Sequence, residues 1–213
     1  MIKAVIFDMD GVLVDSEPFH TEIEKCLFLL NHISLSDEEH RQYSGTASDV
    51  MWRKIAERHT LPLPVEELIE QNRAESFRYF SELAEIPVMP GLVDLLEKLQ
   101  TKNYPLAVAS SSFPEIIDLI LEKTGLQKYF QVVVSSHEAG KSKPEPDVFL
   151  LAAQKLGVKP EDCLVVEDSA NGIRAAHAAN MSVVAYQEPG ADHQSQKEAD
   201  AVVQSFEQLA MML

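Results

Sequence analysis

Six short apolar runs punctuate the chain, at residues 4–7, 106–109, 132–134, 164–166, 183–185 and 201–203. Each is continuous rather than alternating, the pattern of strands covered on both faces in a parallel sheet. Between them the apolar spacing becomes helical. Residues 92–100 bring Leu92, Leu95, Leu96 and Leu99 onto one face, and Ile116, Ile117, Ile120 and Leu121 repeat the device. Helical stretches at 148–156 and 170–179 follow. Strand and helix thus alternate from about Met89 to the end, which predicts a doubly wound α/β fold.

The stretch 16–87 breaks this rhythm. It has no convincing strand run but several helical stripes: Ile23, Cys26, Leu27 and Leu30; Met51, Trp52, Ile55 and Ala56; then Val65, Leu68, Ile69, Phe77 and Phe80. Ser36 and Glu39 have capping-box spacing. The prediction is a helical domain of residues 16–87, its Leu, Met and Phe side chains forming a small core of its own. It is inserted into an α/β domain made of 1–15 and 88–213, with Pro87 and Pro90-Gly91 marking the return.

Composition narrows the function. The 213 residues hold 18 basic and 34 acidic side chains, a formal charge of −16. Such a surface repels phosphate backbones and anionic headgroups, which argues against nucleic-acid and membrane partners. The insert, with 7 basic and 14 acidic residues, shares the bias. No run approaches the ~18 apolar residues of a membrane span. Met1-Ile2-Lys3 leads straight into a strand without a secretory pattern, and Cys26 and Cys163 lack metal-ligand spacing. A soluble cytoplasmic monomer with reduced thiols is expected.

Ligands of open α/β sheets bind at the carboxyl ends of the strands, and four polar groups fall there. Asp8 and Asp10, before Gly11, follow the first run; paired carboxylates at a buried strand end repel each other unless a cation or proton compensates. Ser110, Ser111 and Ser112 follow the second. Ser112 with Glu115 reads as a helix cap, whereas the Ser110 hydroxyl and the amides after it can cradle a phosphate. Lys143 lies in a loop stiffened by Pro144 and Pro146. Glu167 and Asp168 end the fourth run; Asp168 either caps the following helix or joins a site for a hard cation such as Mg²⁺. Together the four suit phosphoryl transfer through a carboxylate nucleophile and a magnesium ion.

These motifs, residues 6–17 (IFDMDGVLVDSE), Ser110, Lys143-Pro144, Val166-Glu167-Asp168-Ser169 and Asn171-Gly172, resemble the haloacid dehalogenase superfamily, and most nearly its β-phosphoglucomutase-like phosphatases with a helical cap. The resemblance implies a Rossmann-like core with a four-helix cap inserted after the first strand. It implies Asp8 as nucleophile, forming an aspartyl phosphate, and Asp10 as general acid and then base, with its pKa moved toward working pH. Ser110, Ser111 and Lys143 would hold phosphoryl oxygens. Mg²⁺ would be bound by the Asp8 carboxylate, the Asp10 carbonyl and Asp168, with Glu167 a ligand or an orienting group. His20, after the linker, is similar to a cap-entrance histidine that contacts Asp10 or substrate, and Tyr43-Ser44-Gly45-Thr46 is similar to the cap loop facing the site.

Two departures bear on substrate. Ser48 stands where the sugar phosphomutase carries an arginine for a second phosphate, and Phe113-Pro114 stand where it carries Lys-Asn. Arg53 or Lys54 would have to compensate. The expectation is therefore hydrolysis of a small, sugar-phosphate-like monoester, with a β-phosphoglucomutase-type phosphomutase as the alternative. A signalling receiver domain also clusters aspartates, a hydroxyl and a lysine, but it lacks the helical insert.

Overall fold

The computed structural model describes residues 1–43, 45–187 and 194–213. Six parallel strands form one sheet: β1 (Ala4–Phe7), β2 (Leu106–Ser110), β3 (Val132–Ser135), β4 (Cys163–Glu167), β5 (Ser182–Tyr186) and β6 (Ala201–Val203), in the order β3-β2-β1-β4-β5-β6. Four helices lie between β1 and the rest: α1 (Glu17–Leu30), α2 (Asp37–Arg41), α3 (Ser48–Arg58) and α4 (Val65–Glu82). The remainder are α5 (Leu92–Thr101), α6 (Pro114–Lys123), α7 (Ser136–Ala139), α8 (Asp147–Leu156), α9 (Ala170–Ala178) and α10 (Phe206–Met212). The chain has the α/β Rossmann-like architecture that its apolar runs predict.

The continuous runs have a structural cause. Successive strand residues point to opposite faces, and both faces are covered. Val5, Phe7, Leu106, Val108, Leu164 and Val166 pack with α5, α6 and α10, whereas Ala4, Ile6, Ala107, Ala109 and Val165 pack with α8 and α9. The four inserted helices do not have a core to themselves: Ile23, Leu27, Trp52, Leu68 and Phe80 join the first of these clusters.

Only two backbone passages lead into and out of the insert, and they lie side by side. Val14 and Val88 form an antiparallel bridge, flanked by Asp15 N–H donating to the Pro87 carbonyl and Met89 N–H donating to that of Leu13, both at 3.0 Å. On the sheet side, the Lys123 ammonium donates to the carbonyls of Phe80, Ser81 and Leu83 at 2.9, 2.8 and 2.7 Å, satisfying the carboxyl end of α4. Arg73 pairs with Glu115 across the same seam.

The helical stripes are shifted from their sequence assignment. On α1, Ile23, Leu27 and Phe28 are buried, while Cys26 and Leu30 face solvent; Ala56 and Phe77 are exposed as well. The buried face of α4 runs Leu68, Asn72, Ser76, Phe80. Its two polar members are paired, with Trp52 Nε1–H donating to Asn72 Oδ1 at 2.9 Å and Asn72 Nδ2–H donating to Ser76 Oγ at 3.2 Å. A hydropathy stripe passes over such residues because their polarity is cancelled in three dimensions. Ser36 caps α2 as predicted, accepting from Glu39 N–H at 3.2 Å, but the Glu39 carboxylate turns to His59 at 2.7 Å instead of closing the capping box. Cys26 and Cys163 are both free thiols. Among the described residues no helix is long and apolar enough to cross a membrane.

Asn72→Leu keeps the volume but leaves the Trp52 indole N–H unpaired in the core. The expected loss is roughly 1–3 kcal/mol of unfolding free energy by urea denaturation. An unchanged midpoint and slope would show that this pair contributes nothing.

Candidate active site

The sheet register gathers the polar strand ends. Phe7 pairs with Val108 on one side and Val166 on the other, so the chain leaves β1 level with the ends of β2 and β4. Asp8 N–H donates to the Val166 carbonyl at 2.9 Å, which seats the Asp8 side chain beside Glu167. Into this gap comes Lys143, 5% exposed. Its ammonium donates to Asp8 Oδ1 at 2.5 Å, Glu167 Oε1 at 2.8 Å and the Ala109 carbonyl at 3.1 Å, above the ring of Phe149. The lysine is a buried partner of carboxylates from two strands, far from the solvated position usual for its kind.

Glu167 is fully buried, and its other oxygen accepts Asp168 N–H at 2.8 Å, Ser169 N–H at 2.7 Å and Ser169 Oγ–H at 3.0 Å. This packing requires glycine at position 172, where a Cβ would fall 1.6 Å from Glu167 Oε1. Ser169, not Asp168, caps α9 by accepting from Gly172 N–H at 3.1 Å. Asp168 is thereby left to the site. Its carboxylate crowds Gly11, whose φ of +77° and missing Cβ are both needed, since a Cβ would meet Asp168 Oδ2 at 2.3 Å.

Asp10 sits among hydroxyls and an imidazole. Ser16 Oγ–H donates to its Oδ1 at 2.5 Å and Ser112 Oγ–H to its Oδ2 at 3.0 Å, with His20 Nε2 3.1 Å from Oδ1. Ser110 is fully buried; its Oγ accepts Ser112 N–H at 3.0 Å and lies 3.4 Å from Asp10 Oδ2. Ser112 was expected to cap α6. Phe113 occupies that position instead, without a side-chain cap, because the Ser112 hydroxyl is drawn to the Asp10 carboxylate. Ser16 was missed altogether; its signal is its position in the linker, six residues after Asp10 and immediately before α1.

The charges follow from this geometry. Burial pushes the Asp8 carboxyl up to about 7, with Glu167 and Asp10 adding to the rise and Lys143 opposing it. Burial likewise raises Asp168 well above the carboxylate range, reinforced by Glu167, Asp8 and Glu17. Burial would raise Asp10 too, but the charge of His20 and hydrogen bonds from His20, Ser16 and Ser112 bring it down to about 2. That corrects the expectation of a carboxyl tuned toward neutral pH: the proton resides on the partner. His20 is raised because Asp10 beside it, with Glu24 and Glu17, outweighs the burial that would lower it. Lys143 is raised in the same way, Asp8 and Glu167 outweighing its burial.

Four acidic side chains thus face one ammonium and one imidazole. Asp8, Glu167 and Asp168 each bring an oxygen within 4.8 Å of the others. All-oxygen donors carrying excess negative charge fit a hard divalent cation. The Asp10 carboxylate is outside that trio. A cavity of about 320 Å³ opens over the cluster, large enough for a small metabolite. Asp8, Asp10, Ser111, Lys143, Glu167 and Asp168 line its floor, while His20, Gly45 and Ser48 line the side facing the helical insert. Gly45 lies against Ser169. Ser44 of the same loop lies outside the described residues. Neither Arg53 nor Lys54 reaches the cavity, and Arg53 pairs with Glu66 at 3.0 Å on the surface. Phe113 stacks on His137, their centroids 4.2 Å apart.

The raised carboxyls predict an unusual pH response without metal. Folded Asp8 holds its proton from 3.8, its ordinary value, up to about 7, where the unfolded chain has released it, and Asp168 acts in the same sense. Stability therefore falls as pH rises through that interval, whereas the stabilisation from Asp10 is present above 3.8 and is lost toward 2. In chelator the thermal midpoint should drop between about pH 4 and about pH 7, and Mg²⁺ should reverse the drop. Equal midpoints with and without Mg²⁺ at the upper pH would contradict the charge excess.

The chain is similar in sequence and in fold to known proteins. The model of the haloacid dehalogenase-like hydrolase family fits residues 2–180. A phosphoglycolate phosphatase of Shigella boydii is 34% identical, covering 86% of this chain and 80% of its own. A phosphorylated carbohydrates phosphatase of Thermotoga maritima is 33% identical, covering 84% and 82%. Among solved structures, a β-phosphoglucomutase of Clostridium difficile superposes with a TM-score of 0.86 at 26% identity, covering 98% of this chain and 93% of that one. With the family fit spanning most of its length and the buried Asp8–Lys143–Glu167 cluster at its strand ends, this chain belongs to the haloacid dehalogenase-like hydrolases.

Proposed function

We propose that the protein is a Mg²⁺-dependent phosphomonoesterase acting on small, sugar-phosphate-like metabolites, with residues 16–87 as a cap domain over the α/β core. The observation that carries the reading is the Lys143 ammonium bridging Asp8 and Glu167 beside Asp168 at the floor of the cavity. That floor can take a phosphoryl group and the cation that neutralises it.

An Asp8 carboxylate oxygen attacks phosphorus, and the bond to the ester oxygen breaks with its electron pair going to the leaving group. The leaving oxygen takes a proton from the Asp10–His20 pair, in which the imidazole is the proton store and Asp10 the relay. Water then attacks the phosphorus of the aspartyl phosphate, giving its proton to the Asp10 carboxylate, and Asp8 is regenerated. Ser111, the amides after Ser110 and Lys143 hold the phosphoryl oxygens. Asp8, the Asp10 carbonyl and Asp168 would hold Mg²⁺, which supplies charge neutralisation there, and Glu167 keeps Lys143 and the Asp168 backbone in place.

Hydrolysis is preferred to a mutase reaction because a bisphosphate intermediate needs a second cationic grip. Among the described residues Lys143 is the only lysine or arginine lining the cavity, and Ser48 occupies the insert side. The mutase named above remains the alternative on the same floor.

Asp8→Asn should reduce phosphate release to background with unchanged circular dichroism, and Asp10→Asn should lower it by roughly 10²–10⁴-fold. Chelation should stop turnover and Mg²⁺ restore it. Supplied with β-glucose 1-phosphate and a trace of bisphosphate, the protein should release inorganic phosphate. Accumulating glucose 6-phosphate would decide for the mutase, and normal turnover by Asp8→Asn would remove the nucleophile assignment.

A further inference from the structure

Asp168 brings one of the three clustered carboxylate oxygens, and the chain around it is pinned from two sides. Its N–H donates to Glu167 Oε2 at 2.8 Å. Its carbonyl accepts from Gln196 Nε2 at 2.6 Å, and the same nitrogen lies 3.3 Å from the Tyr186 carbonyl. Gln196 sits in a short 3₁₀ turn, Gln194–Glu198, between β5 and β6. That turn is anchored in its own right. Ala199 N–H donates to the Gln196 carbonyl at 3.1 Å, and just beyond it Asp200 N–H donates to the Val183 carbonyl at 3.0 Å. The Asp200 carboxylate accepts Val183 N–H at 2.8 Å in return.

The Gln196 side chain is 3% exposed and does not line the cavity, so Asp168 is its route to the site. An amide nitrogen carries two hydrogens, one for each of these carbonyls. The other end of the amide is left over: Gln196 Oε1 is buried and has no hydrogen-bond partner among the described residues. A methionine would fill the same space without an orphaned oxygen, so what the amide adds is its donor. That donor acts where tolerance is small. The Asp168 carboxylate lies so close to Gly11 that a Cβ there would meet it at 2.3 Å. A shift of the Asp168 backbone therefore drives the carboxylate into Gly11 or draws it away from Asp8 and Glu167.

We infer that Gln196 is a positioning residue for the divalent cation: by holding the Asp168 carbonyl it keeps the Asp168 carboxylate in reach of Asp8 and Glu167. The inference rests on the Mg²⁺ reading above and extends it to a residue outside the cavity.

Gln196→Met keeps the volume and donates nothing; Gln196→Asn keeps the amide but is one methylene too short to reach. In Mn²⁺ titrations of metal-free protein, read by electron paramagnetic resonance, both should raise Kd by about tenfold or more. Asn72→Leu is the control for lost stability: it loosens the helical insert and should leave Kd unchanged. A lower thermal midpoint in the Gln196 variants with an unchanged Kd would make Gln196 a structural contact only and overturn the positioning role. An equal rise of Kd in Asn72→Leu would overturn it too, and both results leave the cation site standing. No Mn²⁺ binding by the unaltered protein would bring down the cation site and this inference together.

Discussion

A single buried ammonium holds the functional end of this molecule together. Lys143 reaches Asp8 on one strand end and Glu167 on another while donating to the Ala109 carbonyl of a third. Desolvating these charges is affordable only as a set: remove the lysine and two carboxylates face each other out of water, remove a carboxylate and a cation is stranded. Around that contact the remaining choices become intelligible. Gly172 has no side chain because the Glu167 carboxylate occupies the space, and Gly11 has none because Asp168 does. Phe7 is in register with both Val108 and Val166 because the acidic ends must come out level.

The cluster is nevertheless unbalanced. Lys143 satisfies Asp8 and Glu167, but burial and like charge still press Asp8 and Asp168 toward their protonated forms. Asp10, a few ångströms of chain away, is pressed the other way by three donors. Two carboxyls separated by one residue thus acquire opposite tendencies from their surroundings alone. The helical insert brings His20 to Asp10 and lines the far wall, so residues from both parts of the chain meet at the cavity.

Much of this was legible in the sequence, and the exceptions share a cause. The strands Ala4–Phe7 and Ala201–Val203 run as their apolar residues do, whereas β2, β3 and β4 continue into Ser110, Ser135 and Glu167 because backbone pairing does not stop at a polar side chain. Asp8 and Asp168 stood out because polar residues at the ends of buried strands need compensation, whereas Lys143 lies in the loop after α7, where only the flanking Pro144 and Pro146 marked it. Ser112 was misread because its spacing to Glu115 suggested a local cap, while its actual partner, Asp10, lies 102 residues away. Asn72 and Ser76 were invisible to a hydropathy stripe because Trp52 completes them from another helix. Ser16 and the depressed Asp10 required the third dimension for the same reason: a carboxylate's titration is set by neighbours that sequence distance does not reveal.

The central claim is that the three carboxylates at the strand ends carry more negative charge than the single Lys143 ammonium balances and therefore bind a divalent cation. Titration of Mn²⁺ into metal-free protein, followed by the loss of the free-ion electron paramagnetic resonance signal, tests it without any turnover. The account predicts one site per chain, abolished by Asp168→Asn and unaffected by Arg53→Ala on the distant surface. Absence of binding in the unaltered protein, or the same affinity after Asp168→Asn, would contradict it.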